Sequence, residues 1–304
     1  MTAVHRPSSV ARPQLPVDAA RSRAQKRALT WLVAATALTV ALSFIPYASV
    51  LTFPVRMFVT FVHESSHALA ALITGGHVAG MSVSPDGSGL TYTSGGTQVL
   101  VNCAGYLGTT LFGAGLLLLS RKERLVRPAL FAMGLGTLAM TALFAGEGHN
   151  FIVFVALAVA GGLVAARGRV NPVSKGLRIG LMVAAGALVA AGVAYLGVTG
   201  ALFSWAVGLV CGLGLLAFGR FAGPHLAQAF LSFLAIQCSL NAIFDIKTLF
   251  SISVHSPGTH TDAVNMATLT GVPATVWAVS WVVIALGMLA FSLVVYYRQA
   301  RRVL

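Results

Sequence analysis

The run Phe61-Val62-His63-Glu64-Ser65-Ser66-His67-Ala68-Leu69-Ala70 sets two imidazoles and a carboxylate inside an otherwise apolar stretch. On a helix, His63 and His67 stand at i and i+4, on one face and one turn apart. Two such rings can hold one Zn²⁺, and Glu64 between them is left to act as general base on a zinc-bound water. His63 and His67 are therefore candidate metal ligands, and Glu64 is the candidate catalytic residue. The chain carries 8 His and 3 Glu, so random placement would give roughly 0.002 matches to H-E-x-x-H. Each ionisable group placed in hydrocarbon costs about 2.5–3.5 kcal/mol on insertion scales, so three together need a reason to be there. The alternative to a metal site is a polar cluster that packs helices.

A catalytic zinc takes three protein ligands and keeps a fourth position open for water. The first candidate for the third ligand is Asp245, in Ser239-Leu240-Asn241-Ala242-Ile243-Phe244-Asp245-Ile246-Lys247. Asn241 lies one turn earlier on the same face, where it can hold substrate backbone or the carboxylate. Asp262 is the second candidate, in a loop that also holds His255 and His260. Glu147 and His149 are the third, between two spans at Gly146 and Gly148. Instead of binding metal, Asp245 can pair with Lys247 at a helix end.

What positions these residues follows from composition. Of the 304 residues, 57% are hydrophobic and only 9% charged, and mean hydropathy is +0.85. A soluble domain carries about 25% charged residues. The expected fold is an all-α polytopic membrane protein with about 8–9 apolar spans and one short membrane-associated β-hairpin. A net charge of +13 does not indicate nucleic acid, because the Lys and Arg cluster beside apolar runs, where the positive-inside rule puts them. Anionic lipid headgroups are the expected partners, with no nucleic acid. Cys103, Cys211 and Cys238 form no Cys-x-x-Cys pair and lie in apolar segments, which excludes a disulfide framework.

Residues 1–28 read as a disordered, basic, cytoplasmic tail, and residues 298–304 as a basic cytoplasmic end. Between them, 29–297 form a single membrane-embedded domain. The first span is expected at about 29–52, and the second starts near Pro54 and carries the histidines to about Ile73. Later apolar runs fall at about 98–119, 128–146, 150–166, 177–197, 200–219, 225–250 and 273–297. From Thr74 to Thr97 the chain turns to Gly, Ser and Thr around Pro85-Asp86-Gly87, with alternating apolar residues, and this predicts a β-hairpin over 78–92. Placing every basic cluster on one side requires one element between 29 and 97 not to cross fully. A re-entrant hairpin beside the helix of the histidines meets that need, since irregular backbone at membrane depth must line a cavity or be buried in protein. The run 98–119 is crowded with small residues, Gly105, Gly108 and Gly113 among them, which lets helices approach closely.

The stretch VHESSHALAALITGGHVAGMSVSPDGSGLTYT (62–93) resembles the signature of the site-2-protease-like intramembrane zinc metallopeptidases, in particular a bacterial B-type branch. Ala104-Gly105-Tyr106-Leu107-Gly108 is similar to that branch's small-residue motif opening the next helix. The segment around Asn241 and Asp245 resembles the later helix that supplies an aspartate ligand. The resemblance implies that His63, His67 and Asp245 bind Zn²⁺, that Glu64 is general base and acid, and that the substrate is a transmembrane protein cut in a bacterial cell membrane. Ser66 stands where the family pattern has Gly, and the Leu-Asp-Gly-Gly motif is absent at Asp245, which Ile246-Lys247 follow. The rival reading is an ion transporter or a non-catalytic metal-binding scaffold, which has no use for a base between the histidines.

Overall fold

The computed structural model describes residues 49–147, 174–198, 201–255 and 261–301, with short pieces between 33 and 42 and single positions between 156 and 166. The tail 1–28, half of the first expected span and most of the run 150–166 lie outside the described residues. The histidine-bearing helix α1 spans Ser49–Ile73. It starts before Pro54 and runs through it, rather than starting there. Pro54 is the sixth residue, just past the first turn, so the helix forgoes the one backbone hydrogen bond that an N–H there would make.

The Gly-rich stretch is the expected hairpin. Strands β1 (His77–Val83) and β2 (Gly89–Ser94) pair antiparallel, from His77 opposite Ser94 to Val83 opposite Gly89, with a bulge between Val78 and Gly80. The turn is closed by Gly87 N–H donating to Ser84 O (2.9 Å), and Gly87 takes φ 97°, the left-handed region that favours glycine. A two-residue strand β3 (Gly146–Glu147) adds to the other edge of β1, so the order is β2-β1-β3 and β2 is an outer strand.

Helices α2 (Gln98–Leu119), α3 (Glu123–Phe144), α4 (Lys175–Val198), α5 (Ala201–Phe221), α6 (Pro224–His255), α7 (Asp262–Thr270) and α8 (Ala274–Arg301) complete the described chain. Among the described residues, four helices are long and apolar enough to cross a membrane: α2, α3, α5 and α8. Each coincides with an apolar run expected from the sequence. The short helix α7 is the departure, since the sequence placed Asp262 in a loop.

α1 presents three stripes, two packed and one facing a cleft. Phe58 and Val59 enter a core with Leu116 and Leu117 of α2, Leu130 of α3 and Leu231 of α6. Met57 and Phe61, one turn apart, pack on Met81 and Val83 of β1 and Val207 of α5. The hairpin is thus bolted to α1 by burial, and Ser204 of α5 adds a hydroxyl that accepts from Val83 N–H at 2.8 Å. The third stripe carries Arg56, Thr60, His63, Glu64 and His67, and faces a cleft.

Candidate metal centre and active site

His63 and His67 project from successive turns of α1, with ring centroids 4.8 Å apart. The Nδ1–H of His67 donates to the carbonyl of Val101 on α2 at 2.6 Å. That bond fixes the tautomer and leaves Nε2 with a lone pair directed into the cleft, as an outer-shell partner does for a metal-binding imidazole. Tyr106 meets the His63 ring edge-on, at 4.6 Å between centroids and 81° between planes, and is itself stacked on Trp281 of α8. His63 is therefore aimed by an aromatic wall.

The third corner is Asp262. Its Oδ2 lies 3.2 Å from Nε2 of His63 and 3.2 Å from Nε2 of His67. Helix α7 brings it there as its first residue. Thr261 caps that helix, its hydroxyl accepting from Val264 N–H at 3.3 Å, and Gly271 ends it in a left-handed conformation with φ 73°. Ala263 and Met266 seat α7 in a cluster with Tyr106, Trp281 and Ala285, which ties it to both α2 and α8. Burial opposes ionisation of Asp262, yet the imidazoles of His67 and His63 hold its carboxyl well below the ordinary carboxylate range.

Three observations show that this donor set fits a metal. The set is two imidazole nitrogens and one carboxylate oxygen, all within 4.8 Å of one another. Bonds of about 2.0–2.1 Å in tetrahedral coordination put neighbouring ligands about 3.3 Å apart, close to the two observed separations. The room between the rings is also kept open by sequence: a Cβ on Gly105 would run into Nε2 of both His63 and His67. Gly105→Ala is therefore expected to lower metal affinity by at least about tenfold. Alanine is the better helix former by about 1 kcal/mol, so the helix itself should not suffer. Metal content after dialysis against graded chelator measures the effect, and retention equal to wild type would show that the space between the rings is not the metal's.

Glu64 lies beside this group. It is 5% exposed, and its Oε2 accepts a 2.6 Å hydrogen bond from the Thr91 hydroxyl of β2. Gly89 of the same strand lies so close that any side chain there would displace the carboxylate. The hairpin thus fixes the orientation of Glu64. The departure at Ser66 also has a physical account: its hydroxyl donates to Val62 O at 2.8 Å, and the face it turns to α2 is met by Gly108, where a Cβ would come within 2.9 Å of Ser66 Cβ.

The cleft has a volume of about 1040 Å³ and is walled by α1, the tip and outer strand of the hairpin, α2 and α7. His63, Glu64 and His67 meet there as the sequence expects. The first-ranked aspartate, Asp245, and Asn241 belong to α6, but their side chains lie outside the described residues. The same holds for the side chains of Glu147, whose backbone pairs with Gly80 in the sheet, and of His149, His255 and His260. Thr91, Val101 and Tyr106 are parts of the site that no spacing rule pointed to. Asp262 is the second candidate of the sequence, and its signal is local: Thr-Asp followed nine residues after the Asp by Gly271 and then Pro273 is a helix start and stop.

The family profile of Peptidase M50B-like proteins matches residues 31–189 and 174–292. No curated protein and no solved structure matches the chain. The profile spans most of the sequence, including α1, the hairpin and α7. The chain belongs to the Peptidase M50B-like family and is a membrane metallopeptidase of the site-2-protease type.

Proposed function

We propose that this protein is an intramembrane zinc endopeptidase, with His63, His67 and Asp262 as the metal ligands and Glu64 as the general base. The observation that carries the reading is the position of Asp262, whose one oxygen is 3.2 Å from both Nε2 atoms of the H-E-x-x-H pair, in a cleft that also holds Glu64. Zinc bound there supplies Lewis acidity, which activates water and polarises a carbonyl near neutral pH. Glu64 takes the proton from the attacking water and returns it to the departing amine. Thr91 holds the carboxylate in the orientation that this exchange needs.

The substrate is a peptide segment delivered from the membrane. A transmembrane helix must unwind before its carbonyls can be reached, because its backbone groups are paired within the helix. The outer strand β2 offers a way to hold the unwound segment, since main-chain groups on a free strand edge can pair with an added strand. Leu90 to Thr93 line the cleft beside Glu64, so a chain added there would pass over the site. The basic residues Arg121 and Lys122, between α2 and α3, with Arg124 and Arg127 at the start of α3, suit contact with anionic headgroups.

The test is cleavage of a transmembrane reporter by the purified protein in vesicles. Activity should vanish with a chelator and return with stoichiometric zinc. Cleavage that persists with metal fully removed would exclude the proposed chemistry.

A further inference from the structure

Arg56 lies two turns before Glu64 on the same face of α1 and lines the same cleft. Among the described residues it is the cleft's one lysine or arginine. Its Nε is buried and has no hydrogen-bond partner, and its guanidinium lies 5.8 Å from the Phe53 ring centroid and against Gly87 of the hairpin tip. The carboxylate at the hairpin tip is already engaged: Asp86 Oδ1 accepts from Ser88 N–H at 2.9 Å and from the Ser88 hydroxyl at 2.7 Å. Arg56 helps to stabilise that exposed carboxylate from a distance, but no ion pair closes between them among the described residues. An arginine stays charged in proteins, and a partly desolvated cation without a hydrogen-bonded anion is costly. Its planar fork is matched to a carboxylate.

We propose that Arg56 is a specificity-determining residue, which selects peptides bearing an acidic side chain a fixed distance from the bond that is cut. The inference rests on the peptidase reading above and names its substrate class. Eight residues of helix place Arg56 about 12 Å from Glu64. In an extended chain that distance is covered by about three to four residues. The hairpin gives the same ruler independently. Gly87 lies against the Arg56 guanidinium and the Thr91 hydroxyl donates to Glu64, so four residues of the hairpin arm span the interval. A peptide lying along β2 would therefore set a residue about four positions from the scissile bond beside Arg56.

The experiment uses one apolar transmembrane host peptide with a single Glu walked through each position flanking the cut, each version paired with its Gln counterpart. Purified protein is assayed in phosphatidylcholine vesicles. The Glu/Gln ratio of kcat/KM should peak at about tenfold at a position about three to four residues from the cut, and fall to near one in Arg56→Gln. In Arg56→Glu it should invert in favour of a Lys peptide, with zinc content unchanged. A flat ratio in the wild type, or a peak that survives Arg56→Gln, overturns the proposal and leaves the Arg56 charge to Asp86. A peak that disappears when phosphatidylglycerol is added overturns it as well, and assigns the guanidinium to a lipid phosphate. If the wild type cuts no peptide, the peptidase reading fails, and the inference is judged on binding of the same peptides to zinc-loaded Glu64→Gln: Glu peptides must bind about tenfold tighter than Gln peptides, and equal binding overturns it.

Discussion

Glu64→Gln is expected to fold, insert and hold metal, and to lose cleavage of membrane substrates by at least about 10²-fold. The expectation follows from the division of labour on α1. The carboxylate of Glu64 is not one of the three atoms that converge at the metal position. It is turned to β2, where the Thr91 hydroxyl donates to Oε2 at 2.6 Å and Gly89 leaves room for it. A carboxamide of the same size can still accept that hydrogen bond, so the hairpin should stay docked. What is lost is the capacity to take a proton, which contributes typically 10²–10⁴-fold in such reactions. Metal content, thermal stability in detergent and processing of a co-expressed transmembrane reporter are read together. Reporter processing at the wild-type rate by a metal-loaded Glu64→Gln would exclude the peptidase reading and favour a transporter or a metal-binding scaffold.

How much of this was legible in the sequence varies with the range of the interaction that decides it. The H-E-x-x-H triplet is set by helix geometry alone, and α1 delivers it as expected. The hairpin was equally legible, because Pro85-Asp86-Gly87 encodes its turn locally, and Gly87 does take a positive φ. The bilayer-length runs at α2, α3, α5 and α8 are marked by composition. The roles of Thr91, Val101 and Tyr106 were not legible, because each depends on which strand or helix face arrives beside α1. A threonine on an amphipathic strand carries no mark that its hydroxyl will meet a glutamate 27 positions earlier. Gly105 sits between these cases. Its place in a small-residue stripe was plain, whereas its particular duty, leaving space between two imidazoles, appears only when α2 crosses α1. The third ligand was the hardest, since either aspartate lies well over a hundred residues from the histidines and only the fold can choose between them. Apolar context favoured Asp245. The weaker cues of a capped short helix, Thr261 before it and Gly271 after it, belonged to Asp262.

Asp262→Asn is accordingly expected to weaken metal retention by at least about 10²-fold, a loss larger than an outer-shell change gives, while Asp245→Asn changes it by no more than about twofold. The carboxamide keeps the shape of the side chain and an oxygen donor, but it removes the negative charge that faces the ion and both imidazoles at once. In the wild type that one oxygen closes the triangle, so no neighbouring group among the described residues can take its place. The helix should survive the substitution, because its N-cap is Thr261, and asparagine is tolerated in a first turn. Its packing through Ala263 and Met266 onto Tyr106 and Trp281 is also untouched. Loss of metal would therefore be read against a preserved fold, by chelator competition on the detergent-purified variants and by their melting temperatures without metal. Should Asp245→Asn empty the site while Asp262→Asn keeps it, the aspartate of α6 is the ligand. Asp262 would then act only by holding the two histidines through hydrogen bonds, and α7 would be a positioning element rather than part of the metal centre.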